Sequence, residues 1–270
     1  MSRIDDTFAR CRAAGRTGLV TYVAAGDPAL ARTPGVLRAL EAGGADIIEL
    51  GVPFSDPLAD GPVIQRAVER ALAGGTTLAG TLEMLAAARA SLQAPVVLFT
   101  YGNPVLRYGV DRFARDAARA GVDGVLLLDV PLEEGGEVHA SLRAVGLDTI
   151  LLVSPTTSPA RLAEAGRAGR GFLYAISRLG VTGARAAVDS GAAALCARIR
   201  SVTTTPVALG FGLSSPEHVA AVRGMADAAV VGSALVEVMA RHGPAPELEA
   251  ELTRFVAWLR RDVDALIERT

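Results

Sequence analysis

Short apolar runs alternate with longer stretches of helical period along nearly the whole of this chain. The runs at 19–24, 46–50, 96–100, 124–128, 149–153, 172–176, 207–209 and 228–231 have strand length, and each is followed by helix-compatible sequence. The segment from Val110 to Gly121 shows the intervening grammar. Phe113, Ala117 and Ala120 recur at helical spacing, and Gly121 stops the helix. Ala-Gly-Gly-Ala-Asp and Ala-Gly-Val-Asp-Gly, just ahead of two of the runs, read as tight helix-to-strand turns. A helix is also expected over 4–14, before the first strand. A long amphipathic helix is expected over 246–269, with Leu248, Leu252, Val256, Leu259, Val263 and Leu266 on one stripe that packs on the barrel wall.

Eight strand–helix units are the count of a (β/α)8 TIM barrel. The expected fold is therefore α/β: one catalytic domain spanning 1–270, with an extra N-terminal helix and extended βα loops after strands two and six. The competing fold, an open doubly wound sheet, usually carries a GxGxxG turn after its first strand, and none stands there.

Composition narrows the function. Half of the 270 residues are hydrophobic, and the net charge is −2, which lacks the basic excess of a nucleic-acid binder. All 27 basic residues are arginine. Without lysine the chain has no Schiff-base aldolase chemistry, no covalently held pyridoxal phosphate and no P-loop lysine. Cys11 and Cys196 are too far apart for a CxxC motif, and His139, His218 and His242 show no metal-ligand spacing. No signal peptide is read at the N-terminus and no apolar run reaches membrane-span length, so a cytoplasmic protein that touches neither membrane nor nucleic acid is expected.

Candidate chemistry concentrates after the second strand. That strand carries Glu49, and the loop behind it, stiffened by Pro53, Pro57 and Pro62, holds Asp56 and Asp60. Acids at the C-terminal end of a parallel strand and on its following loop stand where barrels place their active sites. The runs at 207–209 and 228–231 lead into Gly210-Phe211-Gly212 and Gly232-Ser233, the usual phosphate cradle of this fold. The long stretch from Ser177 to Arg185, with Gly180 and Gly183, reads as a lid over the mouth.

Taken together these segments resemble the α subunit of tryptophan synthase. The resemblance is carried by Ala25-Gly26-Asp27-Pro28, by the stretch from Glu49 to Gln65, and by Tyr101-Gly102-Asn103-Pro104. It extends through Asp129-Val130-Pro131, the segment from Ser177 to Gly183, Gly210-Phe211-Gly212 and Val231-Gly232-Ser233-Ala234. It implies retro-aldol cleavage of indole-3-glycerol phosphate to indole and glyceraldehyde 3-phosphate. It also implies a β subunit that carries pyridoxal phosphate and consumes the indole in an α2β2 assembly, with no cofactor on this chain. Glu49 would then be the acid/base, and Asp60 would accept the indole N–H. Thr182 would meet Asp60 on lid closure. Gly183, Gly212, Gly232 and Ser233 would hold the phosphate. Tyr22, Phe99, Leu126, Leu128, Val153, Tyr174 and Phe211 would wall the indole slot, while Asp56 and Asn103 would face the partner.

The chemistry agrees with that picture. An aldol cleavage needs an electron sink, normally a lysine imine or a metal, and an indole ring protonated on carbon serves as its own. Two carboxylates then suffice, provided one can donate a proton near neutrality, which an apolar barrel mouth favours. Two alternatives stay open. One is a different phosphate-binding barrel enzyme, such as an isomerase or a prenyl transferase using Mg²⁺ on Asp56 and Asp60. The other is a weakly active subunit that mainly activates a β partner.

Overall fold

The protein is seen in a computed structural model that describes residues 1–176, 190–210 and 212–265. In chain order the first half runs α1 (Arg3–Ala13), β1 (Gly18–Ala24), α2 (Thr33–Gly43), β2 (Ile47–Gly51), α3 (Pro62–Ala73), α4 (Leu78–Ala88), β3 (Val96–Thr100), α5 (Gly102–Tyr108), α6 (Val110–Arg119) and β4 (Gly124–Leu127). The second half runs α7 (Gly136–Ala144), β5 (Asp148–Val153), α8 (Pro159–Ala168), β6 (Leu173–Ile176), α9 (Ser190–Arg200), β7 (Val207–Gly210), α10 (Pro216–Val222), β8 (Ala228–Val231), α11 (Ser233–His242) and α12 (Leu248–Ala265). All eight strands are parallel and close in sequence order, β8 pairing back onto β1. The chain is a (β/α)8 barrel, and the open-sheet alternative is discarded.

Strand alternation divides the buried side chains into two cores. Val20, Ile47, Val97, Leu126, Ile150, Phe172, Ala208, Ala228 and Val230 fill the barrel lumen. The alternate residues, such as Leu19, Ile48, Leu98, Val125 and Leu151, pack outward against the helices. Helix α1 plugs the N-terminal end. Ile4 and Phe8 join the lumen core, with the Phe8 and Phe172 rings 5.8 Å apart. Along α12 the stripe of Leu248, Leu252, Val256 and Leu259 is wholly buried in the outer core of the barrel, closest to helices α2, α10 and α11. The side chains of Val263 and Leu266 lie outside the described residues.

The helix-to-strand turns owe their aspartates to a repeated device at this N-terminal rim. Asp46 accepts the backbone N–H of Leu19 at 2.8 Å, Asp123 that of Val96 at 2.8 Å, and Asp227 that of Val207 at 2.9 Å. The residue before β2, β4 and β8 thereby caps a backbone N–H at the start of the odd strand that precedes it. Arginines grip each carboxylate from outside: Arg16 and Arg260 on Asp46, Arg89 and Arg3 on Asp123, and Arg200 with Arg12 on Asp227. The ion pairs hold Asp46 below the usual carboxylate range even though burial opposes them. Stability devices thus collect at one end of the barrel and leave the other to the loops.

Candidate active site

Glu49 is the third residue of β2, in register with Tyr22 on β1 and Val97 on β3, and it points into the lumen. Its side chain is fully buried, and neither carboxyl oxygen has a hydrogen-bond partner. Burial alone raises its pKa to about 8, so the carboxyl is mostly neutral at physiological pH. A buried polar group left unpaired costs stability, and at a barrel mouth these oxygens are open to a bound molecule.

Asp60 reaches the same space from the loop after β2 and is 4 % exposed. The loop is braced inwardly. The Asp60 N–H donates to the Pro57 carbonyl at 3.0 Å, and the Gln65 amide donates to the Asp60 carbonyl at 2.9 Å. Tyr101, just past β3, donates its hydroxyl to Asp60 Oδ2 at 2.9 Å while accepting the Ala59 N–H at 3.1 Å. Burial lifts the Asp60 pKa to about 6, and the Tyr101 hydrogen bond works in the opposite direction. The two acids are therefore poised apart, Asp60 ionised and Glu49 protonated near neutral pH.

Two tyrosines frame the acids through matched glycine gaps. The Tyr22 ring leans from β1 across Gly51 on β2, where an added Cβ would stand 2.3 Å from the phenol oxygen. Its edge meets Phe99 on β3, with centroids 4.9 Å apart. On the opposite wall Tyr174 leans from β6 across Gly210 on β7, where a Cβ would stand 2.6 Å from the phenol oxygen. Burial, reinforced by the negative fields of Asp60 and Glu49, holds both phenols firmly protonated. Phe99, Leu128, Leu152 and Tyr174 stay partly open above the lumen core, and Leu126 closes the floor.

One wall residue needs correction. Val153 packs in the outer core with Leu151, facing the helices, because period two along β5 turns residues 150 and 152 inward. Leu152, in register with Tyr174, holds the position expected of Val153. Alternation counted from the neighbouring strands would have identified it.

The cradle residues come together as their strand order requires. Gly210 on β7 is in register with Val230 on β8, so Gly212 and Gly232-Ser233 stand at one level beyond adjacent strands. Gly212 has φ +76°, and Gly232 caps the ten-residue helix α11, whose first backbone N–H groups open toward the mouth. Thr182, Gly183 and Phe211 lie outside the described residues, as does the loop read as a lid. Asp27, from the Ala25-Gly26-Asp27-Pro28 segment, is buried in a bidentate pair with Arg70 at 2.8 Å, which fixes the loop after β1.

Asp56 and Asn103 meet outside the mouth. They line one cavity of about 500 Å³ with Phe54, Leu58, Tyr101 and Asp129. Leu58 is 92 % exposed, and Leu106, one turn beyond Asn103 on α5, is 64 % exposed. Tyr101, absent from the expected site residues, touches both places: its ring lines this cavity and its hydroxyl holds Asp60. Among the described residues no three His, Cys, Asp or Glu side chains gather as metal ligands, and no helix is long and apolar enough to cross a membrane.

Comparison with known proteins gives a consistent family. The family model for the tryptophan synthase alpha chain matches residues 8–263. The tryptophan synthase alpha chain of Geobacter sulfurreducens is 49 % identical over 263 residues, covering 97 % of this chain and 99 % of its own. That of Solibacter usitatus is 47 % identical over 265 residues, covering 98 % and 99 %. Among solved structures, tryptophan synthase of Mycobacterium tuberculosis superposes with a TM-score of 0.89 at 40 % identity, covering 97 % of this chain and 98 % of the other. The α subunit from Legionella pneumophila gives 0.88 at 35 % identity, covering 98 % and 99 %.

Proposed function

Because the chain belongs to the tryptophan synthase alpha chain family, we propose that Glu49 and Asp60 perform the family's reaction at the barrel mouth. The protein is a lyase of tryptophan biosynthesis, cleaving indole-3-glycerol phosphate to indole and glyceraldehyde 3-phosphate. The observation that carries the assignment of roles is the buried, unpartnered carboxyl of Glu49, neutral near pH 7. Neutral Glu49 donates its proton to the indole carbon that bears the side chain. Positive charge then spreads to the ring nitrogen, where the Asp60 carboxylate accepts the N–H and offsets it. The resulting Glu49 carboxylate takes the proton of the adjacent side-chain hydroxyl. As that O–H electron pair becomes the aldehyde C=O, the carbon–carbon bond breaks and its electrons restore the aromatic ring. The proton lent to carbon is recovered from oxygen, so the acid returns to its starting state.

Gly212 and the Gly232-Ser233 turn hold the phosphate, joined by Gly183 by resemblance, which also gives Phe211 to the indole wall and Thr182 to Asp60 on closure. Tyr22, Phe99, Leu126, Leu128, Leu152 and Tyr174 wall the indole. Indole release by the purified chain, with and without a β subunit, tests the reading; no indole under either condition would reject it. Within the slot, Leu152→Ala should raise KM for indole-3-glycerol phosphate several-fold, since uniform binding is lost. Val153→Ala should leave KM and kcat alone and destabilise the fold by about 2 kcal/mol. Parallel kinetics and thermal melts of the two variants check the contrast.

The partner is a tryptophan synthase β subunit, in an α2β2 assembly, and it carries the pyridoxal phosphate that this lysine-free chain has no residue to anchor covalently. Support comes from two exposed leucines beside Asp56 and Asn103, an apolar centre with a polar rim. Leu58→Asp should weaken association with the β subunit by about tenfold or more while the isolated chain keeps its own indole release, as read by calorimetry and an indole assay. The Tyr101 ring lines that surface, so docking would bear on the carboxylate its hydroxyl holds, a route by which the partner raises the rate.

A further inference from the structure

At the end of the barrel opposite the mouth, the rim opens into a second cavity of about 320 Å³. Arg12 at the end of α1, Arg16 after it, Arg200 at the end of α9 and Arg223 at the end of α10 line it, with Asp227 as the single acid. Arg16 is engaged by Asp46. The other three are held only loosely. Arg223 donates one bond to the Gly15 carbonyl at 2.9 Å. Arg200 reaches the Met225 carbonyl at 3.3 Å and Asp227 at 3.4 Å, and Arg12 approaches Asp227 no closer than 4.0 Å. Asp227 is itself occupied by the Val207 N–H. With Arg16 neutralised by Asp46, Arg12, Arg200 and Arg223 face the single lining carboxylate of Asp227, an excess of two positive charges in a chain whose net charge is −2. Each guanidinium has five donors in a planar fork, and the one bond of Arg223 and the two of Arg200 leave most of theirs for another acceptor.

We infer that this cavity is an anion site for a small ligand of the phosphate class, separate from the substrate cradle at the mouth. A phosphate offers three or more oxygens, enough to take donors from Arg12, Arg200 and Arg223 at once, and its charge matches their excess better than that of a chloride or a single carboxylate. The volume accommodates a phosphate or pyrophosphate group. The bound anion bridges three elements that otherwise meet loosely, the α1 plug, the end of α9 and the α10–β8 turn. Its expected consequence is stabilisation of the plug, not a change in turnover, because no residue of the cavity reaches the mouth.

Calorimetric titration of the full chain with inorganic phosphate, pyrophosphate and glycerol phosphate tests this. Wild type should bind two equivalents of inorganic phosphate, one at each end. Ser233→Glu, which places a negative charge in the mouth cradle, should retain one. Arg12→Gln/Arg223→Gln should lose the other, with at least a tenfold fall in its affinity, while indole release stays within about twofold of wild type. Arg223→Lys, which keeps the charge but loses the planar fork, should bind with affinity between wild type and the double variant, which separates lost charge from a damaged fold. At the far site pyrophosphate should bind tightest if the natural ligand is a free inorganic anion, and glycerol phosphate tightest if it is an ester. No binding to the Ser233→Glu protein, or isotherms unchanged by the double arginine substitution, would overturn the assignment.

Discussion

Glu49→Gln should reduce indole release by roughly a thousandfold or more while indole-3-glycerol phosphate still binds with near-normal affinity. The amide keeps the volume and buries no charge, but it has no proton to give to carbon and no carboxylate to take one from oxygen. Both halves of the reaction fail with one atom's change. The same variant should also be more stable than wild type on the alkaline side. The Glu49 pKa is about 8 in the fold against an ordinary 4.5, so between those values the folded state holds a proton that the unfolded chain has lost. Stability contributed by the protonated form is complete below pH 4.5 and is lost progressively as the pH rises toward 8. Glutamine removes that dependence. Melting curves at pH 6 and pH 8.5 should therefore show the wild type losing more stability than Glu49→Gln over the interval. Equal slopes together with near-normal turnover would reject the role.

Much of this site was legible in the chain because it depends on local order. The barrel follows from eight strand–helix alternations, and the position of each acid follows from where its strand ends. The glycine turns after β7 and β8 meet because those strands are neighbours in any barrel closed in sequence order. What escaped depends on contacts across strands. Val153 and Leu152 are adjacent and equally apolar, and only the register with Tyr174 shows which one faces the lumen. Tyr101 stood in a quoted motif without a role, since nothing local says that its hydroxyl reaches back across the sheet to Asp60. Gly210 reads as part of the phosphate cradle and Gly51 carries no signal of its own, yet their missing side chains make room for the phenols of Tyr174 and Tyr22. The expected packing of α12 on the barrel holds, but an amphipathic stripe does not say which elements it meets, and the nearest are the outer helices α2, α10 and α11.

Asp60→Asn should lower kcat by about a hundredfold or more and change the pH profile in a way Glu49→Gln does not. In the wild type, activity should rise as Asp60 ionises near pH 6 and fall as Glu49 loses its proton near pH 8, giving a bell between the two. Asparagine still accepts a hydrogen bond from the indole N–H, so binding persists. It carries no charge to balance the cation formed when carbon is protonated, and that loss falls on the transition state. The residual activity of Asp60→Asn should have no acidic limb and keep the alkaline one. Tyr101→Phe supplies the companion measurement. Its hydroxyl lowers the Asp60 pKa against the pull of burial, so removing it should move the acidic limb to higher pH and leave the alkaline limb in place. If both variants retain the wild-type acidic limb, the ionisation belongs to another group and Asp60 does not carry the charge that the cleavage requires.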